Sequence, residues 1–231
     1  MSSGTIVKLG SIAEIIPGIS VRDYEPRDPV STRHNEDMAR AHLVPISALD
    51  EDQPLNQDKA QPIWIKPSLL SRDAIRAPRL RQFDILITNR SNPRVILLNE
   101  DSETRGKDKE PNVASGPLMI VRLKEQGGWS FRRAQYLAWW LGHMKTQKLL
   151  RSMMKGTTVK VLAKGDLEDL EVSLPAPDSG ANGATTEELI FDRACKAREL
   201  RRLLHEQADL EYMRAQEVLY RVATGKLPFW R

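Results

Sequence analysis

One cysteine, Cys195, is all that 231 residues contain. No internal disulfide can form, and such cysteine usage fits a reducing, cytoplasmic setting. Histidines number four, and His34, His42, His143 and His205 are scattered without ligand spacing, so no metal centre is expected. Long apolar runs are missing. The longest, Tyr136 to Leu141, falls far short of the roughly 20 residues that span a bilayer. The opening MSSGTIVKLGS lacks the apolar core of a signal peptide.

Catalytic signatures are lacking as well. No G-x-x-x-x-G-K-[ST] string is present, which argues against a nucleotide-driven motor. A base-flipping methyltransferase clamp of the N-P-P-Y kind is reduced to Asn92-Pro93-Arg94, without the second proline or the aromatic. Asp84, Glu100 and Lys107 can be forced into a metal-nuclease triad, but acids beside strand ends are common and such a site needs convergent geometry. The expectation is a non-catalytic protein without cofactors.

Acidic residues are absent from one long stretch. Gln126 to Gly165 is forty residues without Asp or Glu, and it holds Arg132, Arg133, Lys145, Lys148, Arg151, Lys155, Lys160 and Lys164. Lys66 to Arg94 carries seven Lys or Arg against Asp73 and Asp84. Acids gather instead in Asp50–Asp58, Glu100–Glu110 and the C-terminal segment. The formal net charge is only +4, but this segregation suits a face that meets a polyanion.

What is present reads as a mixed α+β chain: a globular domain with a twisted β-sheet and helices, then one long coiled-coil-type helix. Thr5 to Ile16 suggests a strand entering a helical turn stopped by Pro17-Gly18. Residues 22–41 read as a surface loop, His42–Ile46 as a buried strand, Pro54–Pro62 as a polar connection and Pro67–Ala74 as a helical turn. Phe83–Asn89 and Arg94–Asn99 are strands around the turn-forming Arg90-Ser-Asn-Pro-Arg94, which predicts a hairpin with arginines at its tip. Val113–Leu123 reads as one more strand interrupted by Gly116-Pro117. Gln135–Met154 has helical spacing. Leu167–Pro175 closes the domain, and PAPDSGANGA has linker composition. The boundaries are placed at 1–176 for the domain, 177–185 for the linker and 186–231 for the helix and tail.

From Thr185 or Thr186 to Gly225, apolar residues recur every three or four positions. Ile190, Ala194, Ala197, Leu204, Ala208, Ala215, Val218 and Val222 form the stripe. A helix of about 36 residues rises roughly 54 Å, longer than a domain of this size is wide. The stripe predicts a partner helix. Cys195 lies on its flank.

Three basic groups are candidate nucleic-acid contacts. Arg90, Asn92 and Arg94 at the hairpin tip carry base-edge chemistry, since Arg pairs with guanine and Asn with adenine. Lys155, Thr157, Thr158 and Lys160 surround Gly156, which permits close backbone approach, and suit a phosphate cradle. Arg72, Arg76, Arg79 and Arg81 suit phosphate positioning. Trp64, Trp129, Trp139 and Trp140 are expected in the core rather than as stacking platforms.

These segments, in this order, resemble the target-recognition half of Type I restriction-modification specificity subunits. Val7-Lys-Leu-Gly-Ser-Ile-Ala-Glu-Ile-Ile-Pro-Gly18 resembles the family's opening K-L-G-D phrase. Phe83-Asp-Ile-Leu-Ile-Thr-Asn-Arg90 resembles its G-D-I-L-hydrophobic-T-x-R strand, with Phe83 where the family has glycine. Val113-Ala-Ser-Gly-Pro-Leu-Met-Ile-Val-Arg122 and Tyr136-Leu137 resemble the following strand and helix start. Gly156-Thr-Thr-Val and Leu167-Glu-Asp-Leu-Glu-Val-Ser-Leu-Pro175 match its later phrases, and Leu219-Tyr-Arg-Val-Ala-Thr-Gly-Lys226 its helix-ending L-L-T-G-K. The resemblance implies a double-stranded DNA-binding subunit that directs a partner methyltransferase, and in some systems a motor-nuclease subunit, to its site. Full-length members carry two such halves and this chain has one, without an internal repeat, so a homodimer through the long helix is implied. The other reading is a regulatory homologue that binds the modification subunit without reading DNA.

Overall fold

The computed structural model describes residues 5–26, 37–49, 55–71, 76–90, 92–98, 104–105, 109–124, 131–174 and 186–223. Arg72, Glu100, Lys107, Trp129, the linker and the tail after Ala223 lie outside them.

The globular part is closed by its own first and last strands. β1 (Thr5–Lys8) pairs antiparallel with β11 (Glu171–Leu174), Thr5 opposite Leu174. The chain then makes one helical turn, α1 (Leu9–Ile12), and enters β2 (Ala13–Pro17). The expected strand and helical turn are present, but the turn ends at Ile12 rather than at Pro17-Gly18, so the helical reading of residues 13–16 is corrected. Ile12, Ile15 and Ile16 have helical spacing, but Ala13 and Ile15 bury in one core and Ile16 in another, on opposite faces of a strand.

β2 belongs to a four-stranded antiparallel sheet with β10 (Leu118–Leu123), β6 (Ile85–Thr88) and β7 (Val95–Leu97), in the order β2-β10-β6-β7. The predicted hairpin is present as β6–β7, with Ile87 opposite Val95. Both faces of this sheet are covered. Ile85, Ile87, Val95, Met119 and Val121 pack against Leu137, Leu141, Leu150 and Leu167 of the helices, while Leu86, Ile96, Leu118 and Ile120 pack against Val44, Leu49 and Leu80. That double coverage explains why β6 is continuously apolar rather than alternating.

A five-stranded sheet lies beyond, in the order β3-β5-β4-β9-β8, from β3 (Tyr24–Pro26), β5 (Gln61–Ile65), β4 (Ala39–Val44), β9 (Glu110–Ala114) and β8 (Thr104–Arg105). β4 and β9 run parallel and the other pairs antiparallel. Two more expectations change here. The polar connection 54–62 runs into β5. The single interrupted strand 113–123 is two strands in two sheets, because the Gly116-Pro117 turn carries the chain from β9 to β10. Gly18 makes that crossing possible, since a Cβ there would stand 2.0 Å from the Ser115 carbonyl oxygen.

The helix expected over 135–154 is broken into α2 (Phe131–Gly142) and α3 (Met144–Met153). His143 sits at the break with extended backbone, and its ring nitrogen accepts from the Lys145 amide as an N-cap. A short α4 (Lys164–Glu168) leads into β11. Phe83, at the entrance to β6, adopts φ +67°, a left-handed conformation in which glycine is relaxed and phenylalanine strained. α5 (Thr186–Ala223) is 38 residues long, in contact with α2. Among the described residues, no helix is long and apolar enough to cross a membrane.

Candidate nucleic-acid interface

Two of the predicted basic groups, about sixty residues apart in sequence, meet in space. Val161 is bridged on one side to Arg90 and on the other to Lys155. The Leu162 amide donates to the Asn89 carbonyl at 2.8 Å, and Lys155 and Val161 exchange both backbone bonds at 3.0 and 2.8 Å. The hairpin tip and the 155–161 turn thus continue one another as a short extension of the four-stranded sheet. Two such steps place Arg90 and Lys155 roughly 10 Å apart at about 4.8 Å per strand.

The tip is held from within. The Thr88 hydroxyl donates to the Asn92 carbonyl at 2.7 Å and accepts from the Arg94 amide at 2.9 Å. Asn89 closes the base of the loop, its amide nitrogens donating to the carbonyls of Pro117 at 2.9 Å and Gly116 at 3.3 Å. From α3, Arg151 donates through Nε to Asn92 Oδ1 at 2.8 Å. Arg151 is the residue missed as a site member. Its place in the acid-free stretch was legible, but its contact across 59 positions was not.

Gly156 occupies a backbone position that requires glycine. Its φ is +130°, and a Cβ would meet the Val159 carbonyl oxygen at 2.2 Å. Around it Lys155, Thr157, Thr158 and Lys160 are all exposed. Lys155 forms an ion pair with Asp166 at 3.2 Å, which reduces its free charge. Arg90, Asn92 and Arg94 are exposed too.

The third group is elsewhere. Arg76 pairs with Glu14 at 2.8 Å. Glu14 stands opposite Arg122 in register, whereas Thr88 stands opposite Leu118. Positions 118 and 122 are four residues apart, so this end of the sheet is about 13 Å from the tip at about 3.3 Å per residue. Arg79 and Arg81 are half-buried there, and their backbones serve an internal charge. Arg122 clasps Asp84 through two bonds of 2.9 and 2.7 Å, and also donates to the carbonyls of Ala77 at 3.1 Å and Arg79 at 2.7 Å. The Arg81 amide donates to Asp84 Oδ2 at 2.8 Å. Burial pushes the Asp84 carboxyl up, with Arg122 opposing. An acid so enclosed is unavailable to bind a catalytic metal. Among the described residues no group of three or more His, Cys, Asp or Glu could hold a metal ion.

Two tryptophans depart from the expected core. Trp139 is exposed, tilted against Tyr136 and His143 at ring separations of 5.7 and 5.6 Å. Trp64 is half-buried with the Arg40 guanidinium 5.7 Å above its ring. Trp140 is half-buried against the helix-side core, as expected.

On α5 the side chains of Ala197, Leu204, Ala208, Ala215 and Val218 are exposed, as are Leu200, Leu203, Leu210, Tyr212, Met213, Leu219 and Tyr220. Of the stripe, the side chains of Ile190, Ala194 and Val222 lie outside the described set, as does that of Cys195.

No family model and no curated protein matches the chain. Solved structures do. A chain from a study of complex assembly and conformational transition in the type I R-M system aligns at TM-score 0.55 and 18% identity, over 98% of this chain and 50% of that one. The type I restriction-modification S subunit of M. genitalium aligns at TM-score 0.50 and 11% identity, over 94% of this chain and 45% of that one. The chain therefore has the fold of these proteins and spans about half their length.

Proposed function

We propose that the chain is a DNA-sequence specificity subunit of a type I restriction-modification system, in half-length form and without catalytic activity of its own. The observation that carries this is the convergence of Arg90, Asn92 and Arg94 with Arg151, Lys155, Thr157, Thr158 and Lys160 on one exposed surface. Guanidinium and ammonium groups with a tight glycine turn suit a duplex, some donors positioning phosphates and others reaching base edges. The fold shared with S subunits supports the same reading, as does the order of the sequence phrases. The partner is a DNA methyltransferase subunit, joined in a restricting system by a motor-nuclease subunit, in the cytoplasm.

The exposed apolar stripe of α5 pairs with a second copy, so that two recognition domains face a symmetric, interrupted site. Light scattering of the wild type and of a Leu204→Glu, Val218→Glu variant checks this part. A dimer that becomes a monomer is expected, and a wild-type monomer means that the stripe serves another partner.

The DNA-binding part is tested by titrating duplex DNA at several salt concentrations. Affinity should fall steeply as salt rises, with a log–log slope of about −0.9 per phosphate contact. The Arg90→Ala, Arg94→Ala variant should lose at least about tenfold in affinity for a specific site. A protein that ignores both DNA and salt would favour the regulatory reading.

A further inference from the structure

What the interface reads can be narrowed by counting donors and acceptors at its centre. Arg151 has donors only, so the Asn92 atom that faces it at 2.8 Å must be the carbonyl oxygen. The amide nitrogen is left to face outward. Asparagine reads adenine with both atoms together, the oxygen accepting from N6 and the nitrogen donating to N7. With one lone pair of Oδ1 taken and the group oriented by Arg151, Asn92 keeps its donor hydrogens while its oxygen is a poorer acceptor for adenine N6.

Its neighbours agree. Arg90, Arg94 and Lys160 are exposed donors without a side-chain partner among the described residues. Two candidate acceptors nearby are withdrawn. Asp166 is paired with Lys155 through Oδ1, and its Oδ2 is buried. Asn89 Oδ1 is buried as well. Only the hydroxyls of Thr157 and Thr158 remain as accepting side chains among the described residues of this surface. In the same turn, Val159 and Val161 are exposed apolar groups.

We infer that this interface is a donor surface that selects acceptor-rich base edges, with Arg151 as the positioning residue that converts Asn92 from an adenine reader into a donor. Guanine, with O6 and N7, is preferred opposite the arginines. Thymine, with O4 and a methyl group for Val159 or Val161, comes next. The cytosine amino group finds no free carboxylate to accept it among the described residues of this surface. The inference rests on the reading of the chain as a DNA-binding subunit.

The test is selection of bound duplexes from a random-sequence pool by the full chain, followed by sequencing. The expected motif has guanines on one strand at adjacent positions. Substituting 7-deazaguanine there should weaken binding at least about tenfold, and Arg90→Ala should relax the preference at one of those positions. In Arg151→Met, which frees Asn92 Oδ1, adenine should appear at one motif position, and adding Asn92→Ala should remove it. A merely structural Arg151 would lower affinity without changing which base is selected, and that outcome overturns its positioning role. A motif whose core is made only of A·T pairs, or one indifferent to 7-deazaguanine, overturns the donor surface while leaving DNA binding intact. An unenriched pool with salt-insensitive binding overturns both the inference and the function it rests on.

Discussion

The two ends of the four-stranded sheet carry similar basic segments with opposite fates. At one end Arg76 is paired with Glu14, and the backbones of Arg79 and Arg81 serve the buried Asp84–Arg122 pair. At the other, Arg90 and Arg94 project from a hairpin that binds itself through Thr88 and Asn89. Charge counted in sequence is thus not charge available to a ligand. What decides is whether an internal acid lies within reach, and the folded register settles that. Glu14 and Asp84 flank Arg122 on neighbouring strands, whereas the hairpin tip has the acid-free stretch beside it.

The largest test of this contrast is Arg122→Ala. It leaves the Asp84 carboxylate buried without its cation, which should cost about 3–5 kcal/mol in denaturant unfolding. The deficit should narrow as pH is lowered. Burial raises the Asp84 carboxyl in the folded state, so there it takes up a proton at a higher pH than in the unfolded chain. A loss of less than about 1 kcal/mol, the size of an exposed pair, would break the contrast at its buried end.

A smaller effect is expected from Gly156→Ala. The Cβ at φ +130° cannot fit against the Val159 carbonyl, so the turn should lose about 1–3 kcal/mol, with weaker DNA binding. Thermal unfolding and DNA titration on the same sample check both, and unchanged affinity would mean that the turn is not part of the contact. Smallest is Arg76→Gln. Arg76 is exposed but its partner Glu14 is buried, so loss of the pair should cost about 1 kcal/mol, and DNA affinity and its salt slope should stay as in the wild type. A weakened slope would place Arg76 on the DNA side and dissolve the distinction between the two ends.

Local signals carried part of this in the sequence. The β6–β7 hairpin was legible because Arg90-Ser-Asn-Pro-Arg94 has turn chemistry between apolar runs, and α5 because its period holds over about nine turns. Elements that depend on their surroundings were misread. Ala13–Pro17 has helical spacing, yet the coverage of both sheet faces makes it a strand. Gln61–Ile65 was hidden by its proline. Gly116-Pro117 reads as an interruption in sequence although it changes sheets, and the Gly142-His143 break is visible only through the His143 cap. Both candidate basic groups, the hairpin arginines and the turn at Gly156, are legible as local features. Their meeting is not, because it is made by backbone bonds at Val161 and Leu162 that any residue can form. The diversion of Arg76 to Glu14 was equally invisible, since pairing depends on strand register.

The pairing of β1 with β11 bears on how such a protein can change. The strand that opens the globular part and the strand that closes it lie side by side, Thr5 against Leu174, roughly 5 Å apart. Most of the globular part hangs between these two adjacent attachment points. A cassette fixed in that way can be exchanged whole, by recombination or by hand, with its two attachment strands left in place.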